Sequence, residues 1–300
     1  MRIFVATRRV DVPDGLVHYA SVDGSVPGAA VTWDHHRTGE GINLDAMPDV
    51  FDPTGFDGVG TTLADADAAA SVVAFLMGGR SRLPAATRAV LESASHWCDH
   101  LAPHPAHDSA TNALGRGLRE HLDAALGLKE ARARNFESVC KQLHAVVASG
   151  GPLPFREVDP RVDEAARALV TSGRLHGTEA VALLDLTGGL SVDPLATYSL
   201  HRAPVSVLVD DHPKGGVRYT VGTNPYVDPR PTDLGPALRA LAVAEFAYGP
   251  PCLAPEPVPG SENWGGRATV FGSPWNFGSR LSADEVVHIV QSALGLNSAG

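Results

Sequence analysis

The chain has 300 residues, 44% of them hydrophobic and 19% charged, proportions of a soluble globular protein long enough to bury a full core and to divide into roughly two domains. Its formal charge of −10 excludes a long phosphate-tracking surface, which needs clustered Lys and Arg, so no long nucleic acid is expected, whereas a small phosphorylated ligand is compatible with it. Three cysteines, Cys98, Cys140 and Cys252, lie far apart without a C-x-x-C spacing and fit a reducing compartment better than a disulfide scaffold.

The N-terminus, M-R-I-F-V-A-T-R-R, holds an apolar run too brief for a signal-peptide core, and no stretch approaches the roughly 18 apolar residues of a membrane span. A cytoplasmic address without a membrane partner is expected. Short runs at 3–6, 16–20 and 29–33, separated by V-P-D-G and V-D-G-S-V-P-G, predict strands. The third run closes on Asp34-His35-His36, and residues 37–62, rich in Gly, Asp and Pro, read as a loop. The alanine-rich A-D-A-D-A-A-A-S-V-V-A-F-L-M that follows predicts a helix, as do residues 83–97, and residues 109–148 hold at least two more.

The segment S-G-G-P-L-P at 149–154 is punctuation, and an amphipathic helix is predicted over 162–172. Strands are then expected at 181–186, 196–200, 205–209 and 217–221, and helices at 234–245 and 283–294. The proline-rich stretch 249–260 reads as an extended surface loop. Strands with helices layered on them describe an α/β protein, with a first domain over 1–150, a linker and helix over 151–178, and a second domain over 179–300.

The chemistry-bearing residues cluster at the ends of the early elements. Asp23 follows one predicted strand, Asp34, His35 and His36 close the next, and S-H-W-C-D-H brings Asp99 to the end of a helix. Neighbouring strands lie about 5 Å apart, so oxygen and imidazole ligands at their ends can converge on one or two divalent ions. Each residue also has a plainer reading. Asp23 suits a turn, Asp65 suits an N-cap for a helix beginning at Ala66 with Asp67 complementing the helix N-terminus, and His96 beside Trp97 suits a packed interior. For Asp34, His35 and His36 together the plainer reading is weaker, because an acid and two imidazoles at a buried strand end carry a desolvation cost without a partner.

With these residues in place the chain resembles the DHH phosphoesterase superfamily, whose members bind manganese or a similar ion between two α/β domains and hydrolyse phosphodiesters or phosphoanhydrides. The resemblance rests on Asp34-His35-His36, on Asp23 in the preceding strand segment L-V-H-Y-A-S-V-D-G, on the following glycine turn and small-residue helix, and on Asp99 after a later helix. It implies an N-terminal parallel-sheet domain, a smaller C-terminal mixed-sheet domain and an interdomain cleft. In the C-terminal half, G-V-R-Y-T-V-G-T-N, D-L-G-P-A-L-R-A-L and N-W-G-G-R-A-T-V-F-G-S-P follow the order of the accompanying family domain. Gly265, Gly266 and Arg267 stand where the family's glycine loop holds substrate, with Arg218 and Asn224 as assistants. A guanidinium in place of the family's imidazole suits an oxyanion.

The chain departs from the family in lacking the opening H-x-x-x-D-x-D, which supplies half of a dinuclear site. Either Asp65 and Asp67 replace those ligands, or the chain holds one ion, or none. The resemblance therefore implies a hydrolase of a small phosphorylated compound, such as a phosphomonoester, phosphodiester or short nucleotide. Asp23, Asp34, His35 and Asp99, with Asp65 and Asp67 as additions, would hold one or two Mn²⁺-like ions; the ion would activate a water. Asp34, His35 and His36 would form the catalytic group, with His36 serving the leaving oxygen. The alternatives are a binding or regulatory protein that kept the scaffold without turnover, and a metal hydrolase acting on a non-phosphate bond. A homodimer is compatible with the sequence.

Overall fold

The computed structural model describes residues 1–35, 41–157, 160–190, 192, 197–198, 200–252, 254–257 and 262–296. The chain forms two compact units, Met1–Val158 and Asp159–Gly300. None of the described helices is long and apolar enough to cross a membrane.

In the first unit, strands β1 (Arg2–Val5), β2 (Tyr19–Val22), β3 (Val31–Trp33) and β4 (Gly58–Thr61) make a sheet of order β1-β4-β2-β3, every pairing parallel. The side-chain alternation of a strand divides the residues between two layers. Ile3, Ala20, Val22 and Val59 enter the main core, while Phe4 and Tyr19 face a smaller cluster with Val12, Leu16 and Val26. Strand β4 lies inside the segment that reads as a loop in the sequence. Its G-V-G-T has one bulky apolar side chain, and the glycines are needed because a Cβ on Gly60 would stand 2.7 Å from the Phe4 ring.

Helices α1 (Asn43–Ala46), α2 (Ala66–Met77), α3 (Ala85–Asp99), α4 (Ser109–Leu126) and α5 (Lys129–Ala148) complete this unit. Helix α2 is central, packing against α3, α5 and the sheet, and Ala66 through Phe75 are all buried. A helix apolar around its whole circumference belongs inside a core, and alanine lets the neighbouring backbones approach closely. Its N-terminus is capped by Asp65, whose side chain accepts from the Ala68 N–H at 2.9 Å.

The second unit carries α6 (Pro160–Thr171) and a mixed sheet of order β5-β6-β7-β8-β10-β9, built from Leu175–Gly177, Val181–Asp185, Val205–Asp211, Val217–Thr223, Gly265–Gly266 (β9) and Val270–Gly272 (β10). Only β6 and β7 pair in parallel among its described strands. Helices α7 (Gly235–Ala247) and α8 (Ala283–Ala293) cover the face bearing Val205, Val207, Val209 and Val221, and α6 contributes Leu169 to the opposite cluster with Leu184 and Leu208. The strand expected at 196–200 is corrected here: its described interior residues, Thr197 and Tyr198, are helical. Buried Glu245 joins α7 to the chain around it by accepting from Trp264 Nε1 at 3.2 Å, Ser279 Oγ at 2.5 Å and the Arg280 N–H at 3.0 Å.

Candidate metal centre

Parallel strands deliver their carboxyl ends to one edge of the sheet, and the acidic cluster forms there. Asp23 directly follows β2 with a φ of 48°, the left-handed region that non-glycine residues seldom occupy. Its backbone is fixed from both flanks, the N–H donating to Trp33 O at 3.1 Å beside β3 and the carbonyl accepting from Thr61 Oγ1 at 2.9 Å at the end of β4. Such a conformation persists where its surroundings over-determine it.

His35 lies just beyond β3, 2% exposed. Its backbone N–H donates to Asn43 Oδ1 at 3.3 Å and its ring Nδ1 lies 3.0 Å from the carbonyl oxygen of Gly41. A carbonyl only accepts, so Nδ1 carries a hydrogen and Nε2 is the atom turned toward the acids. Three carboxylate oxygens surround that atom: Asp23 Oδ1 at 3.2 Å, Asp99 Oδ2 at 3.3 Å and Asp67 Oδ2 at 3.4 Å. Asp23 and Asp67 are fully buried and Asp99 is 11% exposed.

A single N–H points in one direction and cannot serve three acceptors, whereas donors bonded at about 2.1 Å to one ion stand about 3 to 3.5 Å apart. The ligand atoms of Asp23, His35 and Asp67 all lie within 4.8 Å of one another. The second oxygen of Asp67, Oδ1, is buried without a hydrogen-bond partner among the described residues. Three carboxylates gathered out of water around an imidazole nitrogen are costly in the absence of a cation, and the donor set fits a divalent one. Asp23, His35 and Asp67 form the compact group, with Asp99 approaching His35 at its edge, and carboxylate oxygens with one imidazole nitrogen are a donor set compatible with a divalent ion.

Asn43, fully buried on α1, ties two of these residues together. While its side-chain oxygen receives the His35 N–H, its own backbone N–H donates to Asp67 Oδ2 at 3.1 Å and its amide donates to Ser71 Oγ at 2.9 Å. Sequence reasoning did not single it out, although an asparagine inside the apolar I-N-L is a signal of a polar group with a buried task. The Gly41 carbonyl also receives His100 Nε2 at 3.0 Å. His100 belongs to a group of imidazoles at the end of α3, stacked on His96 at 4.2 Å, with His104 stacked on His107 at 4.3 Å and His107 Nε2 3.0 Å from Glu92 Oε2.

The other residues singled out in the sequence have these places. Asp34 Oδ2 accepts from Ser25 Oγ at 3.2 Å near the surface. Asp65 caps α2, and burial, the largest influence on it, raises its carboxyl to about 7 against the opposing pull of the Ala68 N–H. His36 lies outside the described residues. In the second unit, Gly265 and Gly266 form β9 and pair with Gly272 and Phe271, and the Arg267 N–H closes the hairpin on Val270 O at 2.7 Å. Arg218 forms an ion pair with Asp210 on the neighbouring strand. Asn224 is buried, donating to Tyr198 O at 2.9 Å and Ala203 O at 3.2 Å while accepting from the Tyr226 N–H.

Among solved structures the chain is similar to a pGpG-specific phosphodiesterase from Vibrio cholerae, at 14% identity over 94% of this chain and 84% of that one, with a TM-score of 0.46. No family model and no curated protein matches the chain.

Proposed function

We propose that the chain is a metal-dependent hydrolase of a small phosphorylated compound, of the DHH phosphoesterase kind, working with one divalent ion. The observation that carries the reading is the convergence of Asp23, Asp67 and Asp99 on the Nε2 of His35. Those four residues are the ligands, and Mn²⁺ is the ion their mixed oxygen and nitrogen set suits. When bound, such an ion supplies Lewis acidity, acidifying water and polarising a phosphoryl oxygen. Asp67 takes the place of an acid from the family's missing first motif. Because that motif supplies half of the family's dinuclear site, one ion per chain is the expected stoichiometry.

The residues around the ligands do the positioning. Asn43 sets the distance between His35 and Asp67, and the Gly41 carbonyl turns the imidazole so that Nε2 meets the acids. His36, next in sequence, is the residue assigned to the leaving oxygen, for which an imidazole has a suitable acidity. Arg267, behind the Gly265-Gly266 pair, is the residue assigned to a substrate oxyanion, with Arg218 and Asn224 as assistants; to serve, Arg218 would exchange its ion pair with Asp210, and Asn224 its backbone hydrogen bonds, for the substrate. A phosphorylated substrate is favoured over a non-phosphate one by that guanidinium and by the DHH signature.

The test is metal content by elemental mass spectrometry after loading with Mn²⁺ and removal of unbound ion, followed by hydrolysis of a panel of phosphomonoesters, phosphodiesters and dinucleotides. One equivalent in the native chain, lost in Asp23→Asn and accompanied by turnover of at least one phosphoester, is expected. Two equivalents would overturn the single-ion reading. One equivalent without turnover of any panel member would favour a binding protein that kept the site.

A further inference from the structure

We infer that His100 is a positioning residue of the metal centre: through the shared Gly41 carbonyl it holds the His35 ring in the orientation that turns Nε2 to the carboxylates. The purpose rests on the metal-hydrolase reading above. The Gly41 oxygen has two lone pairs, and two imidazoles meet it, His35 Nδ1 at 3.0 Å and His100 Nε2 at 3.0 Å. Both nitrogens must be donors. The carbonyl belongs to a residue at a φ of 71°, outside any helix or strand ladder, so its direction is set by the groups that bind it. That φ strains an L side chain, and a Cβ there would also press on Asp45 Oδ2 at 3.0 Å, so glycine is the residue best suited to this point.

His100 is itself held firmly. It is 9% exposed, it directly follows the ligand Asp99, and its ring stacks on His96 with planes 13° apart. His96 is anchored in turn by its Nδ1, 2.8 Å from the Ala102 carbonyl oxygen. One helix end therefore supplies both a ligand, Asp99, and the donor that steers a second ligand, His35. A ring free to flip would present Nδ1 and Nε2 alternately to the acids, and fixing it is the usual contribution of a partner behind a ligating histidine.

The experiment uses the full chain with ¹⁵N-labelled histidine, first in metal-free buffer and then titrated with Mn²⁺. Two variants separate the donor from the stack: His100→Phe keeps a ring against His96 without a donor, and His100→Gln keeps a donor without the ring. In the native protein the His35 Nδ1 proton, assigned with His35→Gln, should be visible and slow to exchange with solvent. In His100→Phe its exchange should quicken at least about tenfold, and Mn²⁺ binding, read from the electron spin resonance of unbound ion, should weaken roughly 10- to 100-fold. His100→Gln should recover most of both. A His35 Nδ1 proton that exchanges freely in the native chain would overturn the inference before any variant is made. So would an unchanged proton in a folded His100→Phe, or equal losses in both variants, which would assign the effect to stacking. Slow exchange in metal-free protein together with an absence of phosphoester turnover would retain the role of His100 and sink the hydrolase reading instead.

Discussion

Replacing Asp67 by asparagine should reverse its sign with the ion. The carboxylate is fully buried, and its ligand oxygen lies within 4.8 Å of that of Asp23. Two unit charges at that distance repel by about 3 kcal/mol at an effective dielectric constant of 20. Asparagine removes this repulsion and keeps the shape and an acceptor for the Asn43 N–H, but gives up attraction to His35 and the charged half of that hydrogen bond. The net gain in metal-free protein should be about 1 kcal/mol, a rise of about 2 to 4 °C in melting temperature for a unit of this size. With Mn²⁺ at 100 times the native dissociation constant, the native protein gains about 2.7 kcal/mol, whereas a variant binding 100-fold more weakly gains about 0.4 kcal/mol. The melting curves, followed by circular dichroism in chelator and in Mn²⁺, should therefore cross: variant higher without ion, native higher with it. A variant lowered equally in both buffers would refute the argument and make Asp67 a structural acceptor for Asn43.

Asp65→Ala should cost about 1 kcal/mol through loss of the α2 cap and leave Mn²⁺ stoichiometry unchanged, with Asp65→Asn near native in both, measured by urea unfolding and elemental analysis. Gly60→Ala forces a methyl against the Phe4 ring and should destabilise by about 1 to 3 kcal/mol, with part of the loss recovered in the double variant Gly60→Ala, Phe4→Leu. Glu245→Ala leaves the Trp264, Ser279 and Arg280 donors without their acceptor and should cost about 3 to 5 kcal/mol in the second unit, read by tryptophan fluorescence, while metal content per folded chain stays constant.

The sequence makes the outline of both sheets readable because Ile3, Ala20, Val22 and the valines of 205–209 and 217–221 alternate or cluster as buried strands do. Strand β4 escapes that reading. With glycine at alternate positions it has no apolar pattern, and what commits it to the sheet is the room it leaves for Phe4, a contact between distant parts of the chain. Among the site residues, Asp23 and His35 can be paired from their places at successive strand ends. Asp65 and Asp67 are equivalent in the sequence, and the helix tells them apart. Asp65 is the N-cap, with extended backbone at φ −141° and ψ −169°, so its carboxylate folds back on the Ala68 N–H, whereas Asp67 lies inside the first turn and its carboxylate reaches His35. Gly41, Asn43 and His100 leave fainter signals, since their work is done through backbone groups that carry no residue-specific mark.

The run of buried alanines in α2 also acts as a gauge block. Ala66, Ala68, Ala69, Ala70 and Ala74 separate this helix from its neighbours by the thickness of methyl groups, which have no rotamers through which to adjust. The span from Asp67 to the strand-borne Asp23 and His35 is thereby cut to a fixed length, and each alanine is a dimension of the candidate metal centre. Enlarging one by a methylene would move Asp67 outward with the whole rod, so tolerance to change along A-D-A-A-A-S should be governed by the reach of a carboxylate rather than by the capacity of the core.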